Sequence, residues 1–421
     1  MAMRVGGLLR SRAVGAAVAQ VWQAVGSFGL QIVAAWTLGA AGLGLISLSL
    51  GVIVLATALA SGMVGDSLVI LDREDPKIRG ALQGWALLLV GVSATVAGIV
   101  MAVTLLTPFQ ALLFAAALAA FQLEELVRRV FMGVMQFWRL VIIDSAAVAT
   151  SLGFVGITVA LGGVTVEAFF GGLVLGQTAG ILIGILLLPP DERRWVAIRG
   201  SRFGMVGAFG SWRGAQVAVP QLMLTLSRIL VTVFAGGAAL GLVEGARILV
   251  APVLLTVQGF GSYLLSSYVR DKELGVSALR RRAWRASGSM MGAALVIGSF
   301  LVLFSDSLGR FISGPDFSIE RLTVAGWVAY VIASASFQPF ASLAAVKGRQ
   351  RRVFACRLVD AGFALVLLVS VLAAGVSASW TPFVLAAGLA FGGFLVRAVV
   401  LAPLTKTPLA PRVTELRMGH V

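Results

Sequence analysis

The chain has little of what most catalytic and metal sites are made from. Its 421 residues include one cysteine, Cys356, and one histidine, His420. A single thiol excludes an intrachain disulfide framework and any Cys-rich metal site. A single imidazole, placed in the tail, leaves no histidine pair for acid–base chemistry or metal ligation. No stretch reads G-x-x-x-x-G-K-[ST], so ATP is not bound through a P-loop. Charge is scarce too: Asp, Glu, Lys and Arg make up 12% of the chain against 59% hydrophobic residues, and mean hydropathy is +0.99. So few charges cannot cover a water-soluble protein, and lipid has to be the solvent for most of the surface. Long polar segments are missing as well. We therefore expect no enzymatic activity, no cofactor and no nucleic-acid partner, despite a net charge of +15.

What is present is a series of twelve apolar segments, at about 14–38, 43–70, 81–105, 108–126, 138–160, 165–188, 212–236, 238–268, 287–305, 322–345, 358–376 and 380–404. Alternate connections between them hold 28 of the 33 Lys and Arg residues, beginning with Arg4, Arg10 and Arg12. The opposite connections hold only Arg310 and Arg321, and Arg228, Arg247 and Arg397 fall inside spans. Cytoplasmic loops retain Lys and Arg, so this sorting puts both termini in the cytoplasm and requires an even number of crossings of the cytoplasmic membrane. The first segment is too long for a signal-peptide core and reads as the first span. The fold class expected is all-α integral membrane with about twelve transmembrane helices.

The segments repeat. Gly42-Leu43-Gly44-Leu45 at the first turn matches Leu240-Gly241-Leu242 between spans seven and eight, with Gly44 aligned to Gly241. Trp138 precedes Asp144 by the same interval at which Phe354 precedes Asp360, with Arg139 and Arg357 between. Two bundles of six follow, 1–190 and 212–421, joined by a basic interfacial linker at 191–211. Because six is even, the repeat is parallel, about an axis along the membrane normal, as in alternating-access carriers.

Ionisable groups at membrane depth are costly and serve as functional candidates. Arg228 and Arg247 both lie about 12–14 Å from the outer end of their helices. Glu244 shares a face with Arg247 at i,i+3 spacing. Arginine offers a planar fork of donors to phosphate oxygens and keeps its charge when desolvated. The three residues form either a site for an anionic head group or a clamp between two helices. Gln23 and Gln31, eight residues apart in span one, and Gln221 in span seven could bond sugar hydroxyls, or else neighbouring helices. Pro220 is expected to kink span seven. Glu124 and Glu125 stand four residues before Arg128 and Arg129 and should pair with them. Asp144 and Asp360 are expected to pair at the interface with Arg139 and Arg357, a coupling role being the alternative; Asp66 is similar.

The opening pattern, a basic terminus followed by Gln20, Gln31 and Trp36-Thr37-Leu38-Gly39 before Gly42 and Gly44, resembles the polysaccharide and O-antigen flippases. These belong to the superfamily of multidrug/oligosaccharidyl-lipid/polysaccharide exporters. Ser227-Arg228-Ile229-Leu230 through Ala239-Leu240-Gly241-Leu242-Val243 to Arg247 is similar to that family's span seven to eight segment. An acidic residue commonly precedes the arginine there and an aromatic follows the glycine; Ser227 and Val243 stand in those places. The resemblance implies a pair of six-helix bundles around a cationic cavity, moving a polyprenyl-(di)phosphate-linked oligosaccharide by alternating access. Its partners would be that lipid-linked substrate, membrane lipids and membrane proteins of polysaccharide assembly. Alternatives are an ion-coupled multidrug antiporter of the same superfamily and a major-facilitator-type carrier. The antiporter needs a carboxylate deep in the first half, and the sequence alone places none there.

Overall fold

The computed structural model describes residues 12–72, 74–271, 274–313 and 319–406. Arg4, Arg10 and His420 lie outside them. All regular structure in the described residues is helical. Helix α1 runs Arg12–Ala60, followed by a π-helical turn at Ser61–Gly65 and α2, Asp66–Ile70. Then come α3 (Pro76–Thr104), α4 (Pro108–Gly133), α5 (Phe137–Ala160) and α6 (Val166–Leu187). After a short turn at Pro190–Arg193 follow α7 (Phe203–Ala235), α8 (Gly237–Arg270), α9 (Val276–Leu303) and α10 (Ser305–Ser313). The chain closes with α11 (Arg321–Val346), α12 (Gln350–Ala373), α13 (Thr381–Leu395), a π-helical turn at Val396–Leu401, and α14 (Ala402–Lys406).

Among the described residues, eleven helices are long and apolar enough to cross a membrane, the first of them running Trp22–Leu68. Those 47 residues would extend about 70 Å at 1.5 Å per residue, twice the depth of a hydrocarbon core. The helix breaks at Gly39, where φ 65° and ψ −167° leave the helical region. Counted across that break, the eleven helices supply the twelve expected crossings of a multi-pass membrane protein. Helix ends are set by local chemistry. Asp75 caps α3, its carboxylate accepting from the Lys77 amide at 2.8 Å with Pro76 behind it. Thr107 and Gln110 form a reciprocal capping box at α4. Four boundaries differ from expectation by seven residues or more. α7 begins at Phe203 and runs through Pro220, α9 begins at Val276, α12 begins at Gln350, and α4 continues past 126 to Gly133. In α4, α9 and α12 the helix extends into a charged stretch, because arginine stems can lie along apolar neighbours while the heads find partners; the residues gained at the start of α7, 203–211, carry no charge.

The chain packs as two compact units. The first comprises Met1–Leu249, Leu301–Val324 and Leu367–Thr381; the second comprises Val250–Phe300, Ala325–Val366 and Pro382–Val421. In the first unit α5 packs on α6, α4 on α6, and α1 on both α5 and α7. The π-helical turn at Ser61–Gly65 lies on α7, where Gly62 meets the Arg213 carbonyl and Gly214 with no room for a Cβ. In the second unit Tyr268, Leu279, Phe337, Phe340, Leu343 and Val396 form a buried cluster. Arg397 enters it: its guanidinium stacks over Phe340 at 4.3 Å and donates to the carbonyl and hydroxyl of Ser336 at 2.5 Å.

The repeat has a physical counterpart in the first unit. Gly39, at the break in α1, and Gly236, between α7 and α8, have φ of 65° and 88°, a region open to glycine at no steric cost. Beyond them, a Cβ on Gly44 would strike the Gly237 carbonyl, and one on Gly241 would strike the Ala40 carbonyl. Under the alignment of Gly44 with Gly241, Ala40 matches Gly237, so the two contacts are the same contact made twice. Gly241→Ala is expected to force these backbones apart at about 1–3 kcal/mol. Thermal unfolding in detergent would read this as a lowered midpoint; a midpoint equal to wild type would mean the turns do not bear on each other.

Candidate functional site

Two ionic clusters lie within the first unit, both reached by α1. The first sits between α1, α4 and α5. Arg128 on α4 is fully buried, at 1% exposure. Its Nη1 donates to Asp144 of α5, its Nη2 to Gln23 of α1 at 3.1 Å, and its Nε lies 3.2 Å from Glu125. Glu125 also binds Arg129 at 2.9 Å, and Asp66 joins Arg129 at 3.5 Å to Arg213 at 2.6 Å. Four carboxylates (Asp66, Glu124, Glu125, Asp144) against three guanidiniums (Arg128, Arg129, Arg213) leave one formal negative charge.

The surplus sits at Glu124. It was expected to pair with Arg128 one turn later; instead Arg128 turns across the bundle to Asp144 and Gln23, and Glu124 Oε1 is buried with no hydrogen-bond partner. Asp144 Oδ2 and Gln177 Oε1 are in the same state. All three residues, with Gln23, Ser27 and Ser151, line one cavity of about 70 Å³. Three buried oxygens without donors around a water-sized space form an electronegative pocket, and such groups are costly unless something fills the gap. Among the described residues no three acidic, histidine or cysteine side chains are arranged for a metal ion. Glu124 and Asp144, placed near helix ends in the sequence, are both buried among α1, α4 and α5. The expected Asp144–Arg139 pair is corrected: Arg139 donates to the Leu187 carbonyl and closes the end of α6. Arg128 itself belongs to no loop.

The second cluster joins α1, α7 and α8. Glu244, at 3% exposure, binds Arg228 through two bonds, Nε to Oε1 at 3.0 Å and Nη2 to Oε2 at 3.3 Å. It also accepts from Arg247 Nε at 2.6 Å. Arg247 Nη2 donates to Gln31 at 3.1 Å, and Gln31 in turn donates to the Ser27 carbonyl at 3.2 Å. Arg228 runs alongside Gly51, where a Cβ would come within 2.6 Å of Nη1, and Thr225 donates to the Gly51 carbonyl at 3.0 Å. Two guanidiniums and one carboxylate leave one formal positive charge, mostly shielded: the side chains of Arg228 and Arg247 are 12% and 19% exposed.

Gln23 and Gln31 thus share a helix but serve different clusters, separated by about 12 Å of helix axis. Gln221 is half-buried on α7. In the second unit Asp360 is buried and Arg357 reaches it at 3.4 Å, the expected neighbour. The sequence reading missed Glu124, Arg128, Ser151 and Gln177 as a group. A signal existed for the first two: the buried stripe of α4 through Phe114, Ala117, Ala120, Glu124, Arg128 and Phe131 keeps one period across the charged residues.

No family model matches the chain, and no curated protein matches it. Solved structures do. An inward-facing multidrug resistance MATE family transporter of the MOP superfamily aligns with a TM-score of 0.72 at 16% identity, over 92% of this chain and 96% of that one. An outward-facing MATE transporter aligns at 0.63 and 16%, covering 95% and 98%. A MOP superfamily transporter from Pyrococcus furiosus, whose binding pocket of reversed polarity suggests a different function, aligns at 0.63 and 14%, covering 94% and 96%. The chain has the fold of the MATE transporters of the MOP superfamily.

Proposed function

We propose that this chain is a membrane exporter of the MOP superfamily whose transport is driven by a proton or a monovalent cation. The observation that carries the reading is the pocket between α1, α4 and α5, where Glu124 and Asp144 each present a buried oxygen without a donor. A cluster with one surplus negative charge is neutralised by one bound cation. Arg128 holds Asp144 in place, so Glu124 is the group that exchanges the ion. Its charge is free to change without dismantling the Arg128 bonds. This matches the ion-coupled antiporter alternative, and the MATE fold leaves the major-facilitator reading without support.

The test is transport in proteoliposomes under an imposed proton or sodium gradient, with ethidium as a cationic probe. Glu124→Gln is expected to keep the wild-type unfolding midpoint and to lose gradient-driven uptake at least tenfold. Gradient-driven uptake equal to wild type in that variant would sink the proposal.

A second reading rests on the other cluster. The surplus positive charge at Arg228, Glu244 and Arg247 favours an anionic head group, as in a flippase for polyprenyl-(di)phosphate-linked oligosaccharide. Binding of such a lipid by wild type, lost in Arg247→Gln with the fold intact, would favour it.

A further inference from the structure

The first unit contains a second, larger cavity that neither cluster uses. It encloses about 380 Å³, a volume within the range of roughly 300–1,000 Å³ typical of small-molecule sites. Three helices and the segment after α6 wall it. Leu82 of α3 and Val64 of the π-helical turn form the buried floor, at 3% and 2% exposure. Leu87, Leu123 and Ile185, from α3, α4 and α6, line it while remaining exposed, so the cavity opens sideways between helices where lipid chains lie. Its other end is polar: Arg79, Gln83, Glu192 and Trp195.

That polar end is built, not incidental. Gln83 is clamped to the strap after α6 by two bonds, its Nε2 donating to the Arg194 carbonyl at 3.1 Å and its Oε1 accepting from the Val196 amide at 3.0 Å. Arg79 donates to the Asp191 carbonyl at 3.0 Å and to Glu192 at 3.2 Å. Further along, the Arg202 amide donates to the Lys77 carbonyl at 3.1 Å. The stretch expected to be a linker is therefore strapped onto α3 as a rim. That rim carries Arg193, Arg194, Arg199 and Arg202, with Lys77 and Arg79 on the helix beside it; Asp191 pairs with Arg194 at 2.8 Å, Glu192 with Arg79 at 3.2 Å and Asp75 with Arg202 at 3.8 Å, so six cations against three carboxylates leave three positive charges in surplus. Trp195, 65% exposed at the mouth, suits the level of lipid head groups.

The geometry points to a binding site for one anionic phospholipid of the leaflet on the basic side, its acyl chain in the cavity and its phosphate at the arginine rim. An apolar shaft open to the bilayer accepts a hydrocarbon chain, and a basic rim at its end selects the head group. The inference stands independently of what is transported.

Native mass spectrometry of the full chain in detergent tests it, titrating phosphatidylglycerol against phosphatidylethanolamine with identical chains. Wild type should retain one phosphatidylglycerol at least tenfold more tightly than phosphatidylethanolamine. Ala86→Phe and Leu123→Trp, which fill the cavity from two walls, should each lose that binding at least tenfold while melting as wild type does. Arg194→Gln/Arg199→Gln, which lowers the positive surplus of the rim by two charges, should keep a lipid but lose most of the head-group preference. Equal retention of the two lipids by wild type would overturn the assignment. So would undiminished phosphatidylglycerol binding in whichever filled variant folds.

Discussion

Arg128→Met is expected to destabilise the protein by about 3–5 kcal/mol, the range for breaking a buried ion pair from one side. The side chain holds three partners at once, Asp144, Gln23 and Glu125, with almost no access to solvent. Methionine matches its length but returns none of these bonds. Asp144 is left as a buried carboxylate without a counter-ion beside Glu124, which has no partner to share. Glu125 suffers less because Arg129 still binds it at 2.9 Å. The double variant Arg128→Met/Asp144→Leu removes the whole Arg128–Asp144 pair and should recover most of the loss, since replacing an entire buried pair with apolar groups is often near neutral. Chemical denaturation in detergent would measure both. If single and double variants are equally unstable, charge compensation is not what Arg128 supplies.

Glu244→Gln should cost a similar amount, about 3–5 kcal/mol, for the opposite reason. It leaves two desolvated guanidiniums, Arg228 and Arg247, facing a neutral amide. Removing either arginine is milder. Without Arg247, Glu244 still has its two-bonded partner at 3.0 and 3.3 Å; without Arg228, it still has Arg247 at 2.6 Å. A two-bonded arginine–carboxylate pair is the stronger of these, so the expected order of damage is Glu244→Gln, then Arg228→Gln, then Arg247→Gln. Unfolding midpoints of the three variants give that order directly. If Glu244→Gln proves the mildest, the cluster is not a clamp and the arginines are solvated by something else.

Much of this molecule is legible in its sequence because lipid imposes simple rules. Span positions, parity and the pairing of Glu244 with Arg247 all follow from hydropathy and from neighbours one turn apart. What stays hidden is which helix a buried charge turns toward. Spacing on α4 offers Arg128 to Glu124; only the rotation of α4 against α5 and α1 shows that Asp144 and Gln23 receive it instead. The same limit applied to Gln23 and Gln31, which spacing puts on one face although the axial rise assigns them to clusters of opposite sign. The end of α4 was misplaced because a run of charges reads as a loop when its partners lie on other helices.

The glycine turns at Gly44 and Gly241 have a meaning for assembly. Contacts in which residue i meets j while the equivalent j meets i are the signature of an isologous two-fold interface. Here both copies of the contact lie inside one compact unit of a single chain, so a pairing that two separate subunits would have to find by association is held by a covalent tether.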